Sequence, residues 1–299
     1  MTSRRIPLYP HPCLPPWLLL DPLLENWLRE DLGRGDRTTQ AICADPAHRD
    51  PWGQGTIEVK QAGIIAGLPL ALRVFQRLDQ TVLVTPQVKD GDRCEPGTIV
   101  AQLKGDLSTL LMGERVALNL LMRLSGIATL TRRYTDQLAD LPTCLVDTRK
   151  TTPGLRLLEK YATAVGGAVN HRFGLDDAVM IKDNHILAAG GIGAAIDRVR
   201  QSAPFPLTIE VETETLEQVQ TALEHHADVI MLDNMPLDRM QAAVQLIRQQ
   251  NAQIKIEASG NITLENLRSV ATTGVDYIST SALITRAPWL DCSLSILQP

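Results

Sequence analysis

The residues that could do chemistry gather at the ends of six short apolar runs in the second half of the chain. Residues 144–146 lead into Asp147-Thr148-Arg149-Lys150, and 178–181 into Lys182-Asp183-Asn184-His185. Runs 207–211 and 229–232 end in Glu212 and in Asp233-Asn234. Runs 254–256 and 277–278 end in Glu257-Ala258-Ser259-Gly260 and in Ser279-Thr280-Ser281. The charges are sorted. Arg149, Lys150 and Lys182 are cations, with His171-Arg172 on the connection between them, while Glu212 and Asp233 are anions. Arginines suit a substrate with carboxylates or phosphates, which a guanidinium grips bidentately. Two carboxylates on neighbouring strands suit Mg²⁺, which takes few protein carboxylates plus substrate phosphates. Late hydroxyls and backbone N–H groups suit a phosphate. A dicarboxylate beside a Mg²⁺-bound phosphorylated sugar satisfies all three parts. A lone Lys or Glu at a strand end is ordinarily a solvated rim residue; the sorted set carries the reading.

Helical patterns such as 215–223 and 237–249 separate most of these runs. Strands alternating with helices of this length mean βαβ units and a parallel sheet. Six such units point to a closed or nearly closed β/α barrel, with an open doubly wound sheet as the alternative. In barrels the reactive residues stand at the C-terminal strand ends, where these polar residues fall. After the first strand, Thr151 or Thr152 can N-cap a helix with Pro153 at its first position, running to about Val165. Its N-terminus would add to the positive potential at Arg149-Lys150.

The first third reads differently. Residues 1–22 are proline-rich and are expected to lie over a surface, and 30–39 are turn material. Short apolar runs from 57 to 101, broken by Asp90-Gly91-Asp92 and Pro96-Gly97, suggest strands with one helix near 70–78. Leu111, Leu118 and Met122 then recur at helical spacing with Arg115 on the same stripe, Gly126 breaks the pattern, and 127–138 resumes it. A charge on an apolar stripe is costly unless paired. The expected class is α/β: an N-terminal α+β sandwich over 1–128, an incomplete, about six-stranded β/α barrel over 129–289, and a tail, 290–299, returning to the first domain.

Three weaker signals read as structure. His225-His226 follow a helix and face solvent. Gly190-Gly191-Ile192-Gly193 lacks the GxGxxG pattern and reads as a helix–loop transition. Asp176-Asp177 lacks the Thr-Gly that a phosphoribosyl-pyrophosphate loop would need.

The segment Asp147-Thr148-Arg149-Lys150-Thr151-Thr152-Pro153-Gly154-Leu155-Arg156 resembles a signature of the quinolinate phosphoribosyltransferase (decarboxylating nicotinate-nucleotide pyrophosphorylase) family. So do Asn170-His171-Arg172, Ile181-Lys182-Asp183-Asn184-His185, Met231-Leu232-Asp233-Asn234 and Glu257-Ala258-Ser259-Gly260-Asn261-Ile262. Gly113-Glu114-Arg115-Val116-Ala117-Leu118-Asn119 and Leu124-Ser125-Gly126-Ile127-Ala128-Thr129 complete the set, which spans about Glu30 to Asp291. The resemblance implies transfer of phosphoribosyl from phosphoribosyl pyrophosphate to quinolinate with loss of CO₂. The products are nicotinate mononucleotide and pyrophosphate, a step of NAD biosynthesis, with Mg²⁺ and no organic cofactor. It implies that Arg115, Arg149, Lys150, His171, Arg172 and Lys182 surround the quinolinate carboxylates. Glu212 and Asp233 would face the ribose and the metal, and Ser259, Gly260 and Ser281 would lie by phosphate. Lys150, Lys182, Glu212 and Asp233 are the expected catalytic residues. It also implies a head-to-tail homodimer, or a higher oligomer built on it, with Arg115 entering the partner's site. The other reading of Arg115 is an ion pair with Glu114. The family usually has Gly at position 281 followed by a Leu-Thr-His-Ser-like turn; here Ser281-Ala282-Leu283-Ile284-Thr285-Arg286-Ala287 stands instead. A molybdenum-transport paralogue and nicotinate phosphoribosyltransferases share the architecture, but three arginines and two lysines exceed what one carboxylate requires. A non-catalytic anion-binding barrel would not need the two carboxylates at the third and fourth strands.

Composition agrees. The 299 residues are 44% hydrophobic and 21% charged, with a formal net charge of −5. A mildly acidic chain without basic runs is a poor partner for nucleic acid or an anionic membrane. Five cysteines without metal or redox spacing read as reduced thiols in a cytoplasm. Five prolines in the uncharged run from Ile6 to Leu20 argue against a signal helix there.

Overall fold

The computed structural model describes residues 12–43 and 52–297. The chain divides into two units. The first runs to Arg132 and takes in Leu157–Gly166 and the segment from Ala287; the second comprises Arg133–Arg156 and Gly167–Arg286.

The first unit opens with helices α1 (Trp17–Leu32) and α2 (Arg37–Cys43). The proline-rich reading of residues 1–22 gave them no element, yet α1 begins directly after Pro16 and carries Pro22 inside it. Two contacts hold it. Leu20, Leu24 and Leu28 repeat every fourth residue and are buried. Asp21 takes two hydrogen bonds from Arg73, at 3.0 and 2.7 Å, and Arg77 donates to Glu25. Those arginines lie on α3 (Leu68–Leu78), the helix expected at 70–78. Between α2 and α3 come β1 (Trp52–Val59) and β2 (Gly63–Ile64); after α3 come β3 (Leu83–Pro86), β4 (Arg93–Cys94) and β5 (Ile99–Asp106). A half-buried Asp90 carboxylate accepts from the Gly67 and Leu68 N–H groups, which caps α3, and from Tyr161 Oη at 2.6 Å.

Helix α4 (Leu107–Asp136) is continuous through Gly126. The glycine is needed for closeness, since a Cβ there would lie 2.0 Å from the Pro288 carbonyl oxygen. The tail strand β12 (Cys292–Leu297) pairs antiparallel with β1, making a sheet of order β12-β1-β5-β3; β2 and β4 form a separate pair.

The second unit holds β6 (Cys144–Val146), β7 (Val179–Ile181), β8 (Ile209–Thr213), β9 (Val229–Asp233), β10 (Lys255–Ser259) and β11 (Tyr277–Ser279). They form one parallel six-stranded sheet of order β6-β11-β10-β9-β8-β7. Consecutive strands β7 to β11 are neighbours and β6 joins β11, so the sheet winds in one direction without the central reversal of a doubly wound sheet. Among the described residues β6 and β7 do not pair. Val169 instead bridges to Val146 beside β6. This is the incomplete barrel.

Helix α5 (Arg156–Val165) follows β6 in sequence but clusters with the first unit. It begins later than the Thr-Thr-Pro signal suggested. Gly154 has φ +81°, outside the right-handed helix, so residues 153–155 form a turn and the helix does not start at Thr151, Thr152 or Pro153. The remaining helices of the second unit are α6 (Asp183–Ala189), α7 (Ile192–Ser202), α8 (Leu216–Glu224), α9 (Leu237–Gln250), α10 (Leu267–Ala271) and α11 (Ala282–Thr285). Gly190 and Gly191 separate α6 from α7, and His225-His226 end α8 as expected. No helix among the described residues is long and apolar enough to cross a membrane.

Candidate active site

Strands fix the site because alternate residues share a face. On β8, Glu210 and Glu212 point the same way, as do Glu257 and Ser259 on β10. The strand ends open on a cavity of about 820 Å³, lined by residues of the second unit. Arg149, Lys150, His171, Arg172, Lys182, Glu212, Asp233, Ser259, Gly260 and Ser281 all line it, so ten sequence-chosen residues converge on one space. Arg115 is different. It lies on α4 in the first unit with its side chain 59% exposed, 3.6 Å from Glu114. The expected apolar stripe through Arg115 is corrected: the buried face of α4 runs through Leu110, Ala117, Leu121 and Leu124, and Arg115 looks outward.

The cationic side begins at Asp147, which is fully buried. It accepts from Asn170 Nδ2 at 2.7 Å and from the His171 N–H at 2.8 Å, and so seats the His171-Arg172 pair beside β6. Arg172 donates to the Ala178 carbonyl at 2.9 Å. Burial, and next the positive charge of Arg149, pull Arg172 below its usual pKa, which Glu210 and Asp177 oppose. Arg149 Nε is buried without a hydrogen-bond partner. Neither arginine forms an ion pair among the described residues. Two guanidiniums this close, without a carboxylate hydrogen-bonded to either among the described residues, suit anionic groups.

Beneath them lies a cluster that sequence reasoning missed. His171 Nε2 is 3.1 Å from Glu210 Oε2 and 3.6 Å from Glu257 Oε2. Both carboxylates are buried, and their Oε1 atoms lack partners. Burial, then the Glu210 charge, push the Glu257 carboxyl well above the usual range, to about 8, so it is held protonated near neutrality. These three groups are close enough to hold a cation. The hydrogen bonding favours a proton instead. The Arg172 N–H donates to His171 Nδ1 at 2.8 Å, which places the ring proton on Nε2, where a metal would have to bind. The missed signal was alternation itself: a residue two before an inward Glu212 also points inward.

The anionic side carries Lys182 Nζ paired with Glu212 Oε2, and Asp233 accepting from Asn234 Nδ2 at 2.6 Å. Asn234 adopts φ +52°, as does Asn261, whose Nδ2 donates to Asn234 Oδ1 at 3.1 Å. The remaining side is Ser259-Gly260-Asn261 from β10 and Ser279-Thr280-Ser281 from β11. A Cβ on Gly260 would meet Asn234 Oδ1 at 2.2 Å, so glycine lets these two loops close together.

A six-stranded, one-way parallel barrel whose cationic side, paired carboxylates and hydroxyl side line one cavity has the make-up of an enzyme for anionic substrates. The chain belongs to the quinolinate phosphoribosyltransferase family: residues 127–295 match its C-terminal domain and residues 36–125 its N-terminal domain. It is 57% identical over 289 residues to a Synechocystis protein described as "Probable nicotinate-nucleotide pyrophosphorylase (carboxylating)", covering 97% of this chain and 96% of that one. A Bacillus subtilis protein of the same description is 46% identical over 279 residues, covering 93% and 94%. The solved structure of NadC from Streptococcus pyogenes superposes with a TM-score of 0.88 at 42% identity, covering 95% of this chain and 99% of that one.

Proposed function

We infer that the protein transfers the phosphoribosyl group of phosphoribosyl pyrophosphate to quinolinate with decarboxylation, in NAD biosynthesis. The observation that carries this reading is the pair Arg149 and Arg172, two guanidiniums without carboxylate partners beside an anion-sized cavity. Quinolinate brings the two carboxylates that such a pair grips, with His171 and Lys182 beside them. Holding both carboxylates orients the ring nitrogen toward the anomeric carbon of the sugar. As the nitrogen–carbon bond forms and the bond to pyrophosphate breaks, positive charge grows on the ribose and negative charge on the leaving group. Glu212 and Asp233 face the first, and Lys150 and Lys182 offset the second. The ring nitrogen is then cationic. The bond from C2 to its carboxylate breaks, the electron pair stays on C2 beside that nitrogen, CO₂ leaves, and a proton adds to C2.

Mg²⁺ fits the donor set. Glu212 and Asp233 are hard oxygen donors on adjacent strands lining one cavity, and they would hold the ion together with substrate oxygens and water. Bound there, the ion supplies charge neutralisation to the departing pyrophosphate. The working form is a homodimer with shared sites, Arg115 of one copy serving the cavity of the other. Its exposure on α4, and a cavity lined by the second unit, support this. The compartment is a cytoplasm, which the free thiols of Cys13, Cys94 and Cys292 suit.

The test measures quinolinate-dependent release of CO₂ and pyrophosphate in equal amounts. Release of neither by the pure protein with Mg²⁺ and both substrates overturns the reading. Subunit mixing tests the shared site. Arg115→Ala and Lys182→Ala homodimers should be nearly inactive, and exchanged mixtures should regain up to about one quarter of wild-type activity from statistical pairing. No recovery after demonstrated exchange places Arg115 within its own chain.

A further inference from the structure

The hydroxyl side of the cavity contains one cation. From Ser259 to Arg286, the lining residues are Ser, Gly, Asn, Ile, Thr and Ala, with Arg286 the only charged side chain among them. Arg286 directly follows α11, in the turn where the chain departs from the family pattern. It is exposed, and among the described residues its guanidinium makes no hydrogen bond or ion pair. Glu265 feels its charge without pairing with it. An arginine that lines a cavity, is not consumed by a carboxylate and stands among hydroxyls and backbone N–H groups is arranged for a phosphate dianion.

Phosphoribosyl pyrophosphate has two anionic ends, and the cavity has two cationic places. Lys182 stands at the β7 end, the opposite edge of the sheet from the β6–β11 pair, whereas Lys150 follows β6 beside β11. If the anomeric carbon lies between the arginine pair and the carboxylates Glu212 and Asp233, the 5-phosphate must extend to the other side. We propose that Arg286 is a specificity-determining residue that binds the 5-phosphate of phosphoribosyl pyrophosphate, together with the hydroxyls of Ser259, Ser281 and Thr285. The inference rests on the phosphoribosyl-transfer reading above.

Arg286 is exposed and unbonded, so its replacement leaves the fold intact, and thermal melting checks this. Arg286→Ala should raise the KM for phosphoribosyl pyrophosphate by about 10- to 100-fold, the range for a charge-assisted hydrogen bond. The KM for quinolinate should stay within about twofold. Arg286→Lys should recover part of the loss, because a point charge replaces a fork. Two probes separate the ends of the substrate. Binding of ribose 5-phosphate, followed by calorimetry, should weaken in Arg286→Ala as much as the substrate does, and binding of inorganic pyrophosphate should not. An unchanged KM for phosphoribosyl pyrophosphate, an equal rise in both KM values, or a loss confined to pyrophosphate overturns the assignment. Wild-type protein that releases no CO₂ or pyrophosphate would instead remove the reading on which it rests.

Discussion

On the β6–β7 side of the barrel mouth the cavity is built from long charged side chains, Arg149, Lys150, Arg172 and Lys182. On the β9–β11 side it is built from short hydroxyls, Gly260 and two asparagines in left-handed conformation, Asn234 after β9 and Asn261 after β10. The first side presents side-chain charge, and buried groups beneath hold it in place: Asp147 orients His171, and His171 rests on Glu210 and Glu257. The second presents loop shape, and Asn234, Asn261 and Gly260 fix that shape by closing two loops on each other. A charged side should therefore fail when a side chain changes type. A shaped side should fail when a backbone conformation is lost.

The difference predicts a ranking. Glu212→Ala or Asp233→Ala, at the junction of the two sides, should each lower kcat by about 100-fold or more, the scale of removing one electrostatic stabiliser. Near wild-type kcat in both, from steady-state kinetics at saturating substrates, would remove them from the reaction. Arg149→Lys and Arg172→Lys should each weaken quinolinate binding by about 1.5–3 kcal/mol with little effect on phosphoribosyl pyrophosphate. Equal losses for both substrates, measured by calorimetry, would assign the arginines to the phosphates.

On the shaped side, Asn234→Gly keeps the left-handed backbone and removes the hydrogen bond to Asp233. It should lower kcat by about tenfold or more, the worth of a hydrogen bond to a carboxylate, with KM for both substrates unchanged. Asn234→Ala, which must also force an alanine to positive φ, should melt lower than Asn234→Gly. Equal melting temperatures would show that the loop does not depend on that conformation.

Much of the charged side was legible in the sequence, because polar residues that end apolar runs in a βα rhythm must stand at strand ends. Its supporting groups were not. Glu210 fell inside an apolar run until alternation is applied, Glu257 stood at a strand end without a role, and Asp147 read as part of a motif without a task. In the first unit, Gly126 looked like a helix break because its reason, contact with the Pro288 carbonyl, lies 162 residues away in sequence, the difference of the two residue numbers. Gly154 worked the other way: Pro153 suggested a helix start, and a left-handed glycine one residue later prevented it. Arg115 was assigned to the wrong face because Leu111, its partner in spacing, is itself only half-buried.

The buried cluster adds a pH dependence. Glu257 is held protonated in the folded protein, while an unfolded Glu ionises near 4.5. A raised folded pKa gives stability that is complete below about 4.5 and is lost as the pH rises toward about 8. Glu257→Gln removes that loss. The melting temperature of the variant relative to wild type should therefore climb steadily from pH 5 to pH 8. A difference that does not change with pH would show that Glu257 is ionised in the fold.

The central claim is that the Arg149–Arg172 side recognises two carboxylates. Titration of the wild-type protein with quinolinate and with nicotinate, which has one carboxylate fewer, tests it without turnover. Quinolinate should bind more tightly by about 10- to 100-fold, the worth of one additional charge-assisted carboxylate contact. Equal affinities, or a preference for nicotinate, would contradict the account.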